Sequence, residues 1–295
     1  MAQTQMALDS LDFDATVALA TKVAPHVDIL EIGTPCIKHN GIELLKTLRA
    51  KFPNNKILVD LKTMDAGFYE AEPFYKAGAD IVTVLGTADL GTIKGVIDVA
   101  NKYGKQAQVD LINVTDKVAR TKEVAKLGAH IIGVHTGLDQ QAAGQTPFAD
   151  LALITGLNTG AKVSVAGGVK AATVRQVVDA GADIVVAGAA IYGAADPAAS
   201  AAEIAGLARG NSAATGGLGK YLPWALIAGA VLLGLYLLTG NKPAEEAPVD
   251  APVVEEVAPA AEAPAVVEEA APVEAAPVEP ATEAAPAEAA PAAAQ

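Results

Sequence analysis

One short pattern recurs along this chain: Lys76-Ala-Gly-Ala-Asp-Ile-Val, Lys126-Leu-Gly-Ala-His-Ile-Ile and Asp179-Ala-Gly-Ala-Asp-Ile-Val, about 50 residues apart. Each copy places a glycine between an amphipathic stretch and a β-branched apolar run. Gly78, Gly128 and Gly181 are therefore expected to close helices in the left-handed conformation, which a Cβ would strain. Helices that hand over repeatedly to buried strands through the same turn mark a parallel sheet with crossover helices.

The alternation runs from residue 4 to residue 208. Strands are predicted at 5–8, 28–32, 57–61, 80–85, 107–111, 130–134, 162–166 and 183–187. Helices fall between them. One is 89–103, with Ile93, Ile97 and Ala100 on a single stripe; another is 115–127, with Val118, Val124 and Leu127 apolar and Lys117, Arg120 and Lys122 facing water. Eight evenly spaced units predict a closed (β/α)8 barrel over residues 1–210, with each repeat covering two units. An open doubly wound sheet is the alternative, and the constant spacing disfavours it.

Charge divides the chain near residue 210. The formal net charge is −13, yet the first 210 residues hold 19 basic and 22 acidic side chains, while 243–295 holds 12 acidic residues and no Lys or Arg. Neither part offers the basic surface that nucleic-acid binding requires. Residues 211–220 read as a flexible linker rich in glycine and small polar residues. Residues 221–239 are apolar and nearly bilayer-length, with Tyr221, Trp224 and Tyr236 near their ends, so a single transmembrane helix is expected there. Residues 240–295, dominated by Ala, Pro, Glu and Val, are expected to be disordered. The N-terminus lacks a secretory signal pattern, and the lone Cys36 has no partner for an internal disulfide, which fits a reducing compartment. The barrel is accordingly expected in the cytoplasm, tethered by 221–239.

Active sites of such barrels lie at the carboxyl ends of the strands. Those ends carry Asp9, Glu31, Asp60 with Lys62, Asp110, His135, Gly167-Gly168 and Gly188. Glu31 and Asp60, on adjacent strands, are hard oxygen donors suited to Mg²⁺; the alternative for Glu31 is a structural carboxylate holding Lys62. Lys62, between Asp60 and Asp65, should remain protonated and act electrostatically, which argues against a Schiff-base aldolase. His135 has the strand-end address of a proton-transfer group, whereas His26, His39 and His130 read as structural. The small residues at Gly167-Gly168 and Gly188-Ala189 follow the last two predicted strands, where backbone amides commonly bind phosphate.

These residues resemble a known family. Asp60-Leu-Lys-Thr-Met-Asp65, Glu31-Ile-Gly-Thr-Pro35, Gln108-Val-Asp-Leu111 and His135-Thr-Gly-Leu-Asp139, with the late glycines, resemble the 3-hexulose-6-phosphate synthases of the orotidine 5′-monophosphate decarboxylase superfamily. The resemblance implies Mg²⁺-dependent aldol condensation of formaldehyde with D-ribulose 5-phosphate, giving D-arabino-3-hexulose 6-phosphate. It implies catalytic roles for Asp60, Lys62, Asp65, Asp110 and His135, metal ligation by Glu31 and Asp60, and substrate contacts from Asp9, Gly167, Gly168, Gly188 and Ala189. Asp110 would orient His135 or the substrate hydroxyls, and Asp9 would meet the sugar or Lys62. A homodimer is also implied, with Asp65 entering the partner's site. The related 3-keto-L-gulonate 6-phosphate decarboxylases typically carry His-Arg-Ser at the His135 position and an arginine after the last-strand glycine. Thr136, Gly137 and Ala189 stand there instead, which makes decarboxylation the second choice. A membrane-attached scaffold with an idle barrel is the alternative of another class, and the intact Glu31, Asp60, Lys62 and His135 set argues against it.

Overall fold

The computed structural model describes residues 1–210; the expected linker, membrane helix and acidic tail lie outside the described residues. Among the described residues no helix is long and apolar enough to cross a membrane.

The described residues contain eight parallel strands closed in chain order: β1 Gln3–Leu8, β2 Ile29–Ile32, β3 Lys56–Thr63, β4 Ile81–Leu85, β5 Gln106–Asp110, β6 Ile131–His135, β7 Lys162–Ala166 and β8 Ile184–Ala187. Strand β8 pairs back on β1, with Gln5 beside Val186, so the closed sheet is observed and the open one is not. Among the described residues ten helices accompany it: α1 Phe13–Val23, α2 Thr34–Lys51, α3 Gly67–Lys76, α4 Leu90–Lys102, α5 Lys117–Lys126, α6 Leu138–Ala142, α7 Phe148–Thr155, α8 Ala171–Asp179, α9 Ala189–Tyr192 and α10 Pro197–Ala208. The strands match the predicted ones closely, but β1 starts earlier than expected and β3 extends to Thr63. Ile93, Ile97 and Ala100 of α4 are buried as their spacing requires.

The repeat has a physical explanation at the base of the barrel. Asp28 Oδ2 accepts from the Thr4 amide at 2.8 Å, Asp80 Oδ2 from Ile57 at 2.9 Å, His130 Nδ1 from Ala107 at 3.1 Å and Asp183 Oδ2 from Val163 at 2.8 Å. Each acceptor immediately precedes an even-numbered strand and binds an amide at the start of the odd-numbered strand before it. One clasp therefore serves two units, which gives the period of about 50 residues. Gly78, Gly128 and Gly181 take φ of 108°, 88° and 93°, as helix-closing residues should. His130 also meets Asn101 Oδ1 through Nε2 at 3.1 Å, which satisfies both ring nitrogens and makes it a structural histidine.

Both faces of the strands are covered. Met6, Leu30, Val59, Val82, Val109, Ile132, Val165 and Val185 point outward into the shell packed by helices, while Ile29, Leu58, Ile81, Ile131, Ile184 and Val186 fill the interior. The next inward residue along a strand lies two positions on. After Ile29 it is Glu31, after Leu58 it is Asp60, and after Ile81 it is Thr83. The interior thus changes from apolar to polar toward the carboxyl ends, and the apolar layer forms a floor beneath the polar ring.

Candidate active site

Asp60 is 6% exposed and projects from β3 above Leu58. Beyond it the strand is irregular. Val59 pairs with Val82, but Thr63 pairs with Val84, so β3 takes four steps where β4 takes two. This bulge holds Lys62 at φ 49°, a left-handed conformation that costs a side-chain-bearing residue about 1–2 kcal/mol. Simple alternation correctly placed Lys62 beside Asp60 but gave no sign of the bulge. Lys62 Nζ donates to Asp60 Oδ2 at 2.6 Å and to Asp110 Oδ2 at 3.2 Å. Burial alone would lower its pKa, but the charges of Asp60 and Asp110 outweigh burial and hold the ammonium above its ordinary range.

Asp60 takes two further hydrogen bonds. The Thr34 hydroxyl donates to Oδ2 at 2.6 Å, and the Thr83 hydroxyl donates to Oδ1 at 2.7 Å. Three of the four lone-pair sites of the carboxylate are therefore engaged, leaving one for another ligand.

Asp110 lies at the end of β5 and is 3% exposed. Its Oδ1 accepts from the Ile112 amide at 2.9 Å, and its Oδ2 meets His135 Nδ1 at 2.9 Å. Burial opposes its charge, yet His135 and Lys62 more than compensate and keep its pKa below the usual carboxylate value. The relation is reciprocal: burial would lower the His135 pKa, and Asp110 raises it above the ordinary imidazole value. With Nδ1–H directed at a carboxylate, Nε2 is the nitrogen free to exchange a proton with a ligand.

Glu31 accepts from Gln5 Nε2 at 2.7 Å through Oε2. Burial, reinforced by the negative charge of Asp60, pushes its pKa up to about 8. A buried carboxylate held against a second negative charge is a natural seat for a cation. The Asp9 pKa is also raised, first by burial and then by Asp60. Neither Glu31 nor Asp9 hydrogen-bonds Lys62, so the structure does not place Glu31 as its direct partner. Among the described residues no three His, Cys, Asp or Glu side chains form a protein-only metal cage.

After β7 the chain turns through Gly167 and Gly168, at φ 110° and 68°, before α8 begins at Ala171. A Cβ on Gly167 would lie 2.5 Å from the Thr136 carbonyl oxygen, so both conformation and space require glycine. Gly188 and Ala189 lead from β8 into the short α9.

A cavity of about 1020 Å³ brings these groups together: Asp9, Glu31, Asp60, Lys62, Asp110, His135, Gly167, Gly168, Gly188 and Ala189 all line it. Asp65 does not join them within one chain. It is exposed on the turn after β3, where its Oδ1 accepts from the Ala66 amide at 2.7 Å. Sequence reasoning missed Thr34, Thr83 and Gln5 as partners of the carboxylates. Period-two counting along β1 and β4 could have turned Gln5 and Thr83 inward; Thr34 follows a strand end in a loop-to-helix turn and carries no periodic signal.

The family described as "Orotidine 5'-phosphate decarboxylase / HUMPS family" matches residues 2–204. The 3-hexulose-6-phosphate synthase of Methylomonas aminofaciens is 88% identical over 209 residues, covering 71% of this chain and 100% of that protein. The crystal structure of 3-hexulose-6-phosphate synthase from Salmonella typhimurium aligns with a TM-score of 0.69 at 40% identity, covering 71% of this chain and 100% of that one. The 3-keto-L-gulonate-6-phosphate decarboxylase of Vibrio cholerae aligns at 0.62 and 28%, covering 69% of this chain and 95% of that one.

Proposed function

We propose, from the premise that this chain belongs to the orotidine 5′-phosphate decarboxylase / HUMPS family and within it to the 3-hexulose-6-phosphate synthases, that its barrel joins formaldehyde to D-ribulose 5-phosphate. The class is that of an aldehyde-lyase. The observation that carries the reading is the unbroken chain Asp60–Lys62–Asp110–His135 beside Glu31, on the wall of a single cavity.

The residues account for the proton and charge movements. His135, its Nδ1 held by Asp110, takes a proton from C1 of the ketose through Nε2. The electron pair left behind forms an enediolate, whose C1 attacks the formaldehyde carbon and makes the new carbon–carbon bond. The formaldehyde oxygen becomes an alkoxide and recovers the proton from His135, giving D-arabino-3-hexulose 6-phosphate. Lys62, kept cationic by two carboxylates, opposes the negative charge that develops on the ketose oxygen. Mg²⁺ fits the donor set, because it commonly takes only one or two protein carboxylates and completes its octahedron with water and substrate oxygens. Glu31 and the remaining lone pair of Asp60 would hold it, and when bound it would supply Lewis-acid stabilisation of that charge. Asp9 faces the sugar, while the amides at Gly167-Gly168 and Gly188-Ala189 receive the phosphate.

Asp65 acts from a second copy of the chain. Exposed Met64, Phe68 and Tyr69, at 54%, 40% and 83%, flank it in sequence and give a homodimer apolar surface to cover. The sugar-phosphate substrate puts the barrel in the cytoplasm, and residues 221–239, outside the described residues, supply the membrane anchor, with 211–220 as linker and 240–295 as tail. Fractionation of the full chain should find it with membranes, and a wholly soluble chain would remove the anchor.

The reaction is tested with the full chain, Mg²⁺ and ribulose 5-phosphate by following formaldehyde consumption. Asp60→Asn should abolish turnover while the protein stays folded. Decarboxylation of 3-keto-L-gulonate 6-phosphate in preference to formaldehyde uptake would assign the chain to the other activity; Thr136 and Ala189, which stand where its arginines would be, and Gly137 in place of its serine favour the synthase.

A further inference from the structure

The bulge in β3 removes a ladder acceptor from the Lys62 amide, and one side chain replaces it. The Lys62 N–H donates to Thr83 Oγ1 at 3.0 Å, and the same hydroxyl donates its own proton to Asp60 Oδ1 at 2.7 Å. Thr83 lies on β4 between Val82 and Val84, the two residues that bracket the irregular pairing, and it is 1% exposed. Its hydroxyl therefore has a fixed polarity. It must accept from the amide, which can only donate, and donate to the carboxylate, which can only accept.

We infer that Thr83 is the positioning residue of this site, indexing the left-handed backbone of Lys62 to the carboxylate of Asp60 without touching substrate. The inference rests on the reading given under Proposed function. The direct Lys62 Nζ to Asp60 Oδ2 contact cannot do this alone, because a lysine head on four rotatable bonds can follow a displaced carboxylate. Thr83 instead ties the Lys62 backbone to the other oxygen. Thr34 holds Oδ2 from the opposite side, so loss of Thr83 frees one edge of the carboxylate while leaving the other pinned. The expected result is a rotated Asp60 and a relaxed bulge in an otherwise intact barrel.

Thr83→Val keeps the β-branched shape and removes both bonds, whereas Thr83→Ser keeps the hydroxyl. In the full chain, Thr83→Val should lower kcat by about 10- to 100-fold, the scale of a small misplacement of reacting groups, with the KM for ribulose 5-phosphate changed less than about threefold. Thr83→Ser should recover most of kcat. The amide proton of Lys62, followed by NMR, should lose protection in the Val variant and regain it in Ser. Should Thr83→Val fail to fold, Thr83→Cys, a weak donor and acceptor of similar size, should fall between Ser and Val.

Wild-type kcat in Thr83→Val or Thr83→Cys would overturn the inference, as would a loss seen only in the folded fraction with kcat per folded molecule unchanged. A loss that falls on KM rather than kcat would overturn it too. If the wild-type chain fails to consume formaldehyde, the assigned reaction falls; the Lys62 amide measurement still decides the role of Thr83.

Discussion

Asp110→Asn changes one oxygen to an amide nitrogen, and the structure gives the size of the effect. The carboxylate receives Ile112 N–H on Oδ1, and both His135 and Lys62 on Oδ2. Asparagine keeps an acceptor for Ile112. Lys62 keeps Asp60, so it is not stranded in the way that makes broken buried pairs cost about 3–5 kcal/mol. The main loss is the charge-assisted bond to His135, together with the attraction to Lys62, for about 2–3 kcal/mol in all. For a domain of this size that lowers Tm by about 4–12 °C. The pH dependence has a definite sign. The depressed Asp110 pKa contributes stability above the ordinary carboxylate range and loses it in acid, and the raised His135 pKa contributes below the ordinary imidazole value and loses it as pH rises through the folded value. The deficit of the variant should therefore be largest between those limits and shrink on either side. The His135 pKa itself should fall: without Asp110, burial and Lys62 favour the neutral ring and only the smaller influence of the Asp60 charge opposes them. NMR titration of the His135 imidazole, with thermal unfolding at fixed protein concentration, reads both effects, and kcat should fall by about 100-fold or more. An unmoved imidazole pKa, or a Tm within about 1 °C of wild type, would refute the reasoning.

At the opposite end of the barrel, Asp80 receives Lys105 Nζ at 2.6 Å, the Ile57 amide and the Arg49 guanidinium, and its pKa is lowered. Asp80→Asn should cost about 1–3 kcal/mol at neutral pH by urea unfolding, with the gap closing as pH falls below about 4, and should leave kcat unchanged. Gly167→Ala forces a Cβ toward the Thr136 carbonyl at φ 110°, so the loop must move. If its amides hold phosphate, the KM for ribulose 5-phosphate should rise about tenfold with a smaller change in kcat, as steady-state kinetics will show.

Much of this was legible in the sequence because it follows from periodicity. The helix-closing glycines and the strands after them repeat, and a strand of period two that buries Leu58 must also turn Asp60 inward. The ring of polar residues at one end of the barrel follows from the same counting. What escaped depends on contacts between distant segments. The bulge at Lys62 is a mismatch between β3 and β4 that neither strand announces alone. Gln5 reaches Glu31 across 26 positions, and Thr34 reaches Asp60 across the same separation, so neither pairing has a local signature. Asp65 is close in sequence to Asp60 and Lys62, yet the turn after Thr63 carries it out to the surface, and nothing in the local sequence announces that turn.

Deuterium exchange at C1 of ribulose 5-phosphate, followed by proton NMR in D₂O with the full chain and no formaldehyde, asks directly whether Glu31 and Asp60 act as one site that stabilises the deprotonated ketose. Wild type should exchange one C1 proton only when Mg²⁺ is present, and Glu31→Gln and Asp60→Asn, each still folded, should not exchange it. Undiminished exchange in either variant, or exchange indifferent to Mg²⁺ removal, would contradict that role.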